Sequence, residues 1–191
     1  MLARTLEFSK VRSDEDLRAV GAFRYQCYLA EALIDPRDDQ MFLDEYDRIE
    51  NAEIVTVLSC GRIVGTIRLH ILDSTNHCSA TMSAFSDILM PKIAAGLRLI
   101  DGARFAVAPY LGAMRLGVAR HTLRRYENYA AEQDVDFGVA AVLEDRVEFY
   151  SRLWGFHQIS EPRSYNNLKE KLVLLGVDLR QDRKKQRAGG L

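Results

Sequence analysis

Residues 98–109 read RLIDGARFAVAP, and their apolar pattern is typical of a strand buried in a sheet. Pro109 ends the run, because proline lacks the N–H that a central strand must donate. Within the run, the acid Asp101 and the base Arg104 stand three residues apart. Burying a charge is unfavourable unless that charge is paired or used. The strand therefore predicts either an ion-pair network or a reactive site around its centre.

The segments on both sides of this strand predict an α/β protein with one mixed sheet, in the order β-α-β-β-(α)-β-α-β-α-β-β. The strands are expected at residues 5–11, 52–59, 62–72, 98–109, 136–143, 156–160 and 171–179. The helices are expected at residues 13–32, 84–90, 114–134 and 145–154. Ser13 is placed to cap the first helix, Asp35-Pro36 to end it, and Cys60-Gly61 to turn a hairpin.

The composition is typical of one globular domain, which we expect over residues 1–180. The chain has 191 residues, of which 48% are hydrophobic and 28% charged. A net charge of −1 provides no basic field for nucleic acid or anionic lipid. No stretch approaches the roughly 18 apolar residues that a membrane span needs. Three widely spaced cysteines predict free thiols in a reducing cytoplasm. The tail QDRKKQRAGGL, residues 181–191, is expected to be disordered.

A long acidic segment follows the first helix, and we call residues 36–51, PRDDQMFLDEYDRIEN, the acidic loop. It is longer than a plain connection requires, and long loops in compact domains are often functional. The chain has no phosphate-binding GxxxxGK motif, no GxGxxG and no metal-ligand cluster. Its four histidines form no recognisable grouping, so the sequence assigns them no chemistry and predicts no metal.

The order of elements, together with FYSRLWGF at residues 149–156, resembles the GNAT acyltransferase fold. The resemblance implies transfer of an acyl group from a thioester, and it implies that Tyr150, shortly before Gly155-Phe156, protonates the departing thiolate. A tyrosine that only packs in the core is the alternative. The pyrophosphate loop of that family should open the long helix. Residues 114–119, MRLGVA, lack its leading Gln or Arg, which favours a donor other than coenzyme A.

A second resemblance covers residues 20–110. FRYQCY, LDEYD, GTIRL and RFAV follow in the order and near the spacing found in acyl-homoserine lactone (autoinducer) synthases, GNAT-like enzymes that take acyl chains from acyl carrier protein. The charged residues that carry this resemblance are Arg24, Asp44, Asp47, Arg68 and Arg104.

The chain departs from the autoinducer synthases where they handle S-adenosylmethionine. They have Glu and Ser where this chain has Asp101 and Ala103, and a Trp where it reads AEALIDP. The pattern is closer to the long-chain N-acyl amino acid synthases, of the N-acyl tyrosine type. That resemblance implies a fatty acyl chain delivered as acyl-phosphopantetheine by acyl carrier protein, with no bound cofactor. The tyrosine acceptor rests on the resemblance alone.

Acyl transfer to an amine needs a base, an oxyanion donor and an acid for the thiolate. Burial makes a carboxylate more basic, so Asp101 is the candidate base, acting through a water. An equal alternative is that Asp101 only pairs with Arg104 or caps the turn at Gly102. A backbone N–H in the stretch from Phe105 through Val107 to Ala108 is the expected oxyanion donor, by analogy with the fold.

The five charged residues of the second resemblance supply three cations and two anions, and Asp101 would balance them at three and three. Bidentate Arg–carboxylate bonds could offset the cost of burying such a network. We expect most of it to be structural. Arg104 is the first candidate to contact substrate, through the carboxylate of an amino acid. A purely structural network is the alternative.

Two further surfaces are expected. Apolar side chains could line an acyl channel, although core packing explains each of them equally well. These channel candidates are Phe23, Tyr28, Phe42, Phe85, Leu89 and Met90. A basic face on the long helix could dock the acidic carrier protein, or could simply be solvated. These docking candidates are Arg115, Arg120, Arg124 and Arg125.

Three other functions remain open from the sequence. The chain could be an acyl-homoserine lactone synthase that uses S-adenosylmethionine, or an N-acetyltransferase that uses coenzyme A. It could also be a lipid-binding or regulatory module that has kept the fold and lost turnover. The leading interpretation is an N-acyltransferase that forms an N-acyl amino acid.

Overall fold

The computed structural model describes residues 5–180, and its elements follow the predicted order. The strands are β1 Leu6–Lys10, β2 Ala52–Ser59, β3 Arg62–Leu72, β4 Leu99–Val107, β5 Phe137–Val142, β6 His157–Gln158 and β7 Val173–Asp178. The α-helices are α1 Asp14–Ala30, α2 Ala80–Ala94, α3 Arg115–Glu132 and α4 Val147–Trp154. The predicted tail at residues 181–191 lies outside the described residues.

The seven strands form a mixed sheet in the order β1-β2-β3-β4-β5-β7-β6. β1 pairs antiparallel with β2, and β5 pairs parallel with β4 but antiparallel with β7. The predicted α/β class with a mixed sheet is therefore confirmed. Across residues 5–180, none of the helices combines the length and the apolar character that crossing a membrane would take.

One compact unit comprises residues 5–69 and 104–129, with β1, α1, β2, most of α3 and parts of β3 and β4. Ser13 caps α1 in a reciprocal box with Asp16, as the acidic first turn favours. The buried face of α1 packs through Leu17 and Val20 against Ile54 of β2. These contacts fix α1 on the sheet within this unit.

Helix α1 ends at Ala30, close to the end predicted near Ala32 and before Asp35-Pro36. Ala32 takes a left-handed conformation with φ of 56°. Its N–H donates to the carbonyl of Leu29, and the N–H of Leu33 donates to the carbonyl of Tyr28. This is a Schellman motif, which satisfies the last carbonyls of a helix and usually needs glycine at the left-handed position. Because alanine occupies that position, no glycine in the sequence marks the end of the helix.

The other compact unit comprises residues 70–103 and 130–180, with α2, β5, α4, β6, β7 and the remainder of β3 and β4. Helix α2 spans 15 residues with a kink at Phe85, where the φ of −132° is not helical, whereas the sequence predicted a short helix at residues 84–90. Ser79 caps it by accepting from the N–H of Met82, so α2 begins at Ala80, before the predicted start at residue 84. Pro91 lies inside its last turns without ending it.

Candidate active site

Five charged side chains meet in the first compact unit, and we call them the charged cluster. Arg24 comes from α1, Asp44 and Asp47 from the acidic loop, Arg68 from β3 and Arg104 from β4. No side chain in the cluster is more than 2% exposed. The structure thus brings together the five residues that carried the second sequence resemblance.

The cluster is connected through its two carboxylates. Arg24 Nη1 donates to Asp47 Oδ1 over 2.7 Å, and Arg68 Nη1 lies 2.8 Å from the same oxygen. Arg68 Nη1 also donates to Asp44 Oδ1 over 2.5 Å. Arg104 donates to Asp44 Oδ2 through Nε, over 3.0 Å, and through Nη2. Each carboxylate therefore joins two arginines with charge-assisted bonds.

The same carboxylates fold the acidic loop. Asp44 Oδ1 accepts from the N–H of Tyr46, and Asp47 Oδ2 accepts from the N–H of Asp44. Together they cap a single 3₁₀ turn, Glu45–Asp47. Because a capping box needs acidic or polar side chains three residues apart, the spacing in LDEYD both closes this turn and aims two carboxylates at the arginines.

Electrostatics favour the charged form of both acids. Burial raises the pKa of Asp44, but Arg68 and Arg104 outweigh burial and bring that pKa to about 2. Burial also raises the pKa of Asp47, and Arg24 with Arg68 lowers it below its ordinary value. The cluster thus holds three positive and two negative charges, an excess of one positive charge.

Arg24 bears much of this excess. Burial lowers the pKa of its guanidinium, and Asp47 only partly compensates. Its Nε and Nη2 are buried and find no hydrogen-bond acceptor among residues 5–180. Buried donors without acceptors are rare in folded proteins. The cluster therefore has unused capacity to bind an anion.

Arg104 is held in a strained position on β4. Its φ is 51°, a left-handed value that is uncommon for a residue with a side chain. Its guanidinium lies over the ring of Phe42, 4.6 Å from the ring centroid, and Phe42 packs in turn against Tyr28. Tyr28 Oη donates to the carbonyl of Phe105 over 3.4 Å. Strain of this kind persists where surrounding contacts impose it and is common at functional sites.

A backbone hydrogen bond after Arg104 excludes one of the N–H groups that were candidates for binding the oxyanion. The N–H of Ala108 donates to the carbonyl of Val64 over 2.9 Å, so it is already engaged. The N–H of Ala108 is therefore not available to bind the oxyanion, contrary to the prediction that included it. The N–H groups from Phe105 to Val107 stay the predicted oxyanion donors, and Val107 is buried.

Asp101 lies in the second compact unit with partners that the sequence did not predict. Its Oδ1 accepts from Thr81 Oγ1 over 2.8 Å, and its Oδ2 lies 3.8 Å from Nδ1 of His70. Thr81 Oγ1 also lies 2.9 Å from Tyr165 Oη. All four side chains are buried. The sequence assigned no role to His70, although its position two residues after Arg68 in β3 could have suggested one.

Tyr150 is buried in α4 of the same unit. Its ring lies edge-on to Phe149 and to Phe156, with centroids 5.4 Å and 6.2 Å away, and Trp154 is 6.0 Å distant. This packing agrees with the alternative that Tyr150 belongs to the core. Its role towards the leaving thiolate stays a prediction.

The channel candidates fall in both units. In the first, Phe42 and Tyr28 are buried, and Phe23 is partly buried. In the second, Phe85 and Leu89 are fully buried on α2, whereas Met90 is 37% exposed. The lining of an acyl channel by these residues stays a prediction.

The docking candidates on α3 divide into two pairs. Arg115 pairs with Glu31, and Arg125 pairs with Glu53 over 2.5 Å. Arg120 and Arg124 are exposed. With exposed Leu116 they fall at i, i+4 and i+8, so the three lie along one face of the helix.

Comparisons with known proteins extend these observations. The solved structure of FeeM, an N-acyl amino acid synthase from uncultured soil microbes, is 17% identical over 95% of both chains, with a TM-score of 0.77. The AHL synthase LasI is 18% identical over 93% of this chain and 91% of its own, with a TM-score of 0.69. An acyl-CoA N-acyltransferase from Pseudomonas aeruginosa is 14% identical over 90% and 99%, with a TM-score of 0.63.

At these identities the solved structures establish the fold, and the predicted GNAT-like architecture is confirmed. No functionally curated protein matches the sequence significantly. The family model described as N-acyl amino acid synthase FeeM matches residues 19–178, most of the chain. This chain therefore belongs to the FeeM N-acyl amino acid synthase family and is an amide-forming N-acyltransferase.

Proposed function

We propose that this enzyme transfers a long-chain fatty acyl group from acyl carrier protein to the α-amine of an amino acid, with tyrosine as the leading acceptor. The observation that carries the proposal is the excess positive charge of the buried charged cluster. A free amino acid presents a carboxylate beside its amine, so one anion would balance the cluster while the amine faces the thioester. Arg104 remains the residue expected to contact that carboxylate.

The reaction assigns a task to each of the remaining candidates. The amine loses a proton towards Asp101 and attacks the thioester carbonyl. N–H groups between Phe105 and Val107 hold the resulting oxyanion. Collapse breaks the carbon–sulfur bond, and Tyr150 protonates the phosphopantetheine thiolate. The second proton that the former ammonium group loses restores the Tyr150 phenol. The product amide keeps one hydrogen on nitrogen.

The assignment of acyl carrier protein as the donor is supported by one exposed face of α3, which carries Leu116, Arg120 and Arg124 and which we call the exposed stripe. Arg120 and Arg124 are free to meet an acidic partner, and Leu116 adds an apolar contact beside them. Carrier protein delivers its phosphopantetheine arm from such a docked position, and the enzyme needs no cofactor of its own. We place the reaction in the reducing cytoplasm, which suits the exposed thiols of Cys60 and Cys78.

Mass spectrometry of the purified enzyme's products tests the proposal. Acylated carrier protein is supplied with each amino acid in turn, and N-acyl tyrosine is the expected product. Parallel reactions replace the donor by acyl coenzyme A, and the acceptor by S-adenosylmethionine. Release of methylthioadenosine with an acyl-homoserine lactone would identify an autoinducer synthase instead. Absence of any amide with every donor and acceptor would refute the proposal.

Reversing the charge of the exposed stripe is expected to weaken carrier-protein binding. The double variant Arg120→Glu, Arg124→Glu should raise KM for acylated carrier protein about tenfold or more, since it converts attraction to repulsion. With a short acyl-pantetheine donor, which needs no docking, the variant should match the wild type. Arg18→Glu, on the exposed side of α1, is the matched control. Equal KM values for the double variant and the wild type would contradict the assigned dock.

Neutralising Arg24 should separate acceptor binding from stability. Arg24→Met leaves two cations and two anions, and Asp47 keeps its contact with Arg68 and its bond from the N–H of Asp44. We therefore expect a stability change within about 1 kcal/mol, because the excess positive charge of the cluster is removed and Asp47 keeps Arg68 as a partner. KM for the amino acid should rise at least about tenfold, since attraction for its carboxylate is lost. Tyramine, which lacks the carboxylate, serves as the control acceptor and should be used equally by both enzymes.

A further inference from the structure

A buried polar chain in the second compact unit carries an inference about proton transfer, which rests on the proposed function. Thr81 Oγ1 donates to Asp101 Oδ1 over 2.8 Å and lies 2.9 Å from Tyr165 Oη. His70 Nδ1 lies 3.8 Å from the other carboxylate oxygen. Asp101, Thr81 and His70 have no exposed surface, and Tyr165 is 5% exposed. Of these four residues, only Tyr165 has any exposed surface.

The direction of these hydrogen bonds follows from the protons available. A threonine hydroxyl has a single hydrogen, and Thr81 gives it to Asp101. In the contact between Thr81 and Tyr165, the tyrosine must then be the donor. The chain runs from Tyr165 O–H to Thr81 O–H to the Asp101 carboxylate, so every hydrogen points towards Asp101.

Two neighbouring elements, α2 and β3, bring polar side chains to Asp101 at the end of this chain. Thr81, the second residue of α2, holds the first carboxylate oxygen by the hydrogen bond that its hydroxyl group donates. His70 of β3 presents a ring nitrogen to the second oxygen. His70 and, through Thr81, Tyr165 are the titratable groups that these contacts bring to Asp101.

We propose that Tyr165 and Thr81 form a proton relay that ends on Asp101. The acceptor's ammonium group gives a proton to Tyr165 Oη, directly or through water, as the tyrosine proton moves to Thr81 Oγ1 and the threonine proton moves to Asp101 Oδ1. The amine becomes neutral, the Asp101 carboxylate becomes a carboxylic acid, and both hydroxyl groups are restored. After acyl transfer the proton returns along the chain to solvent. A fully buried Asp101 thereby acts as a base without touching the amine.

Steady-state kinetics with acylated carrier protein and the acceptor amino acid test the relay. Tyr165→Phe and Thr81→Val should each lower kcat about 10- to 100-fold with little change in either KM, since each removes a hydroxyl that passes the proton. Thr81→Ser, which restores the hydroxyl, should recover most of the lost kcat. The double variant should be no slower than the slower single variant, because both hydroxyl groups serve one path.

Controls separate the relay from simple packing. Thr122→Val removes a buried threonine hydroxyl that donates to the carbonyl of Val118 inside α3, and its kcat should match that of the wild type. Thermal unfolding of every variant reports structural damage. If Tyr165→Phe and Thr81→Val keep wild-type kcat while the wild type makes the N-acyl product, the relay is wrong and the proposed function stands.

A measurement without turnover tests the chain even if the wild type makes no amide. Carbon-13 NMR of aspartate-labelled protein follows the protonation of Asp101, with Asp101→Asn used to assign its signal. Thr81→Val should shift this protonation to higher pH, because the carboxylate loses a donor that favours its charged form. His70→Asn is titrated alongside to separate the imidazole contribution. Identical titration of Asp101 in Thr81→Val and wild type would overturn the relay.

Discussion

Asp44→Asn is expected to destabilise the protein by about 3–5 kcal/mol, the loss found when a buried ion pair is deprived of one partner. Asp44 accepts from Arg68 and from Arg104, so the change leaves three buried arginines with one carboxylate. The excess charge of the cluster rises from one to two. The 3₁₀ turn also loses the charge of its cap, although the amide oxygen can still accept from Tyr46.

Urea denaturation of Asp44→Asn and of Asp39→Asn measures this effect. Asp39 lies in the same loop, but its side chain is 59% exposed and its ion-pair contact with Arg37 is 3.8 Å long. Its replacement should therefore change stability by no more than about 0.5 kcal/mol. A loss below about 1 kcal/mol for Asp44→Asn would show that the cluster does not need this carboxylate.

The contribution of Asp44 should also be visible in the pH dependence of the free energy of unfolding. The pKa of Asp44 is lowered from an ordinary value of 3.8 to about 2 in the folded protein. Its stabilising contribution is thus fully present above pH 4, and it is lost as the pH falls through the folded pKa. Between pH 4 and 2, the wild type should lose more stability than Asp44→Asn.

Asp101→Asn is expected to lower kcat by about 10²–10⁴, the usual contribution of a general base. The amide has nearly the shape of the carboxylate and can still accept from Thr81, but it cannot take up the amine's proton. KM for both substrates should change little. The measurement is steady-state turnover at saturating acylated carrier protein and amino acid.

Asp87→Asn is the matched control for this change. Asp87 belongs to the same compact unit and forms an exposed ion pair with Arg163, so its replacement should leave kcat unaffected. Thermal unfolding of both variants completes the comparison. Should Asp101→Asn lose stability yet keep wild-type kcat, Asp101 would be a structural residue, the alternative that its sequence left open.

The fold could be predicted from the sequence where local patterns are strong. The boundaries of β2 and β3 follow from two β-rich runs around Cys60-Gly61, and the start of α1 follows from Ser13 with its acidic turn. The end of α1 was predicted only to within two residues, because Ala32 occupies a left-handed position that glycine usually marks. The length of α2 was missed because Ser79 lies among polar residues typical of a loop.

The residues of the candidate site also divide into those that could be predicted from the sequence and those that could not. Arg24, Asp44, Asp47, Arg68 and Arg104 could be identified together because their motifs keep a recognisable order. The partners of Asp101 could not be identified. Thr81 and Tyr165 are 84 positions apart, and neither lies in a motif, so only the tertiary structure brings them to the carboxylate. Contacts of this kind leave no periodic trace in a single sequence.

The double use of Asp44 and Asp47 makes the acidic loop and the arginines one cooperative element. The carboxylates that close the turn are also those that neutralise the cations, so the turn and the arginines stabilise one another. An insertion between these residues would break the cap and release three buried cations in a single step. Substitutions in the exposed parts of this loop therefore leave the arginines neutralised, whereas a change in the spacing of LDEYD would alter the turn and the charged cluster together.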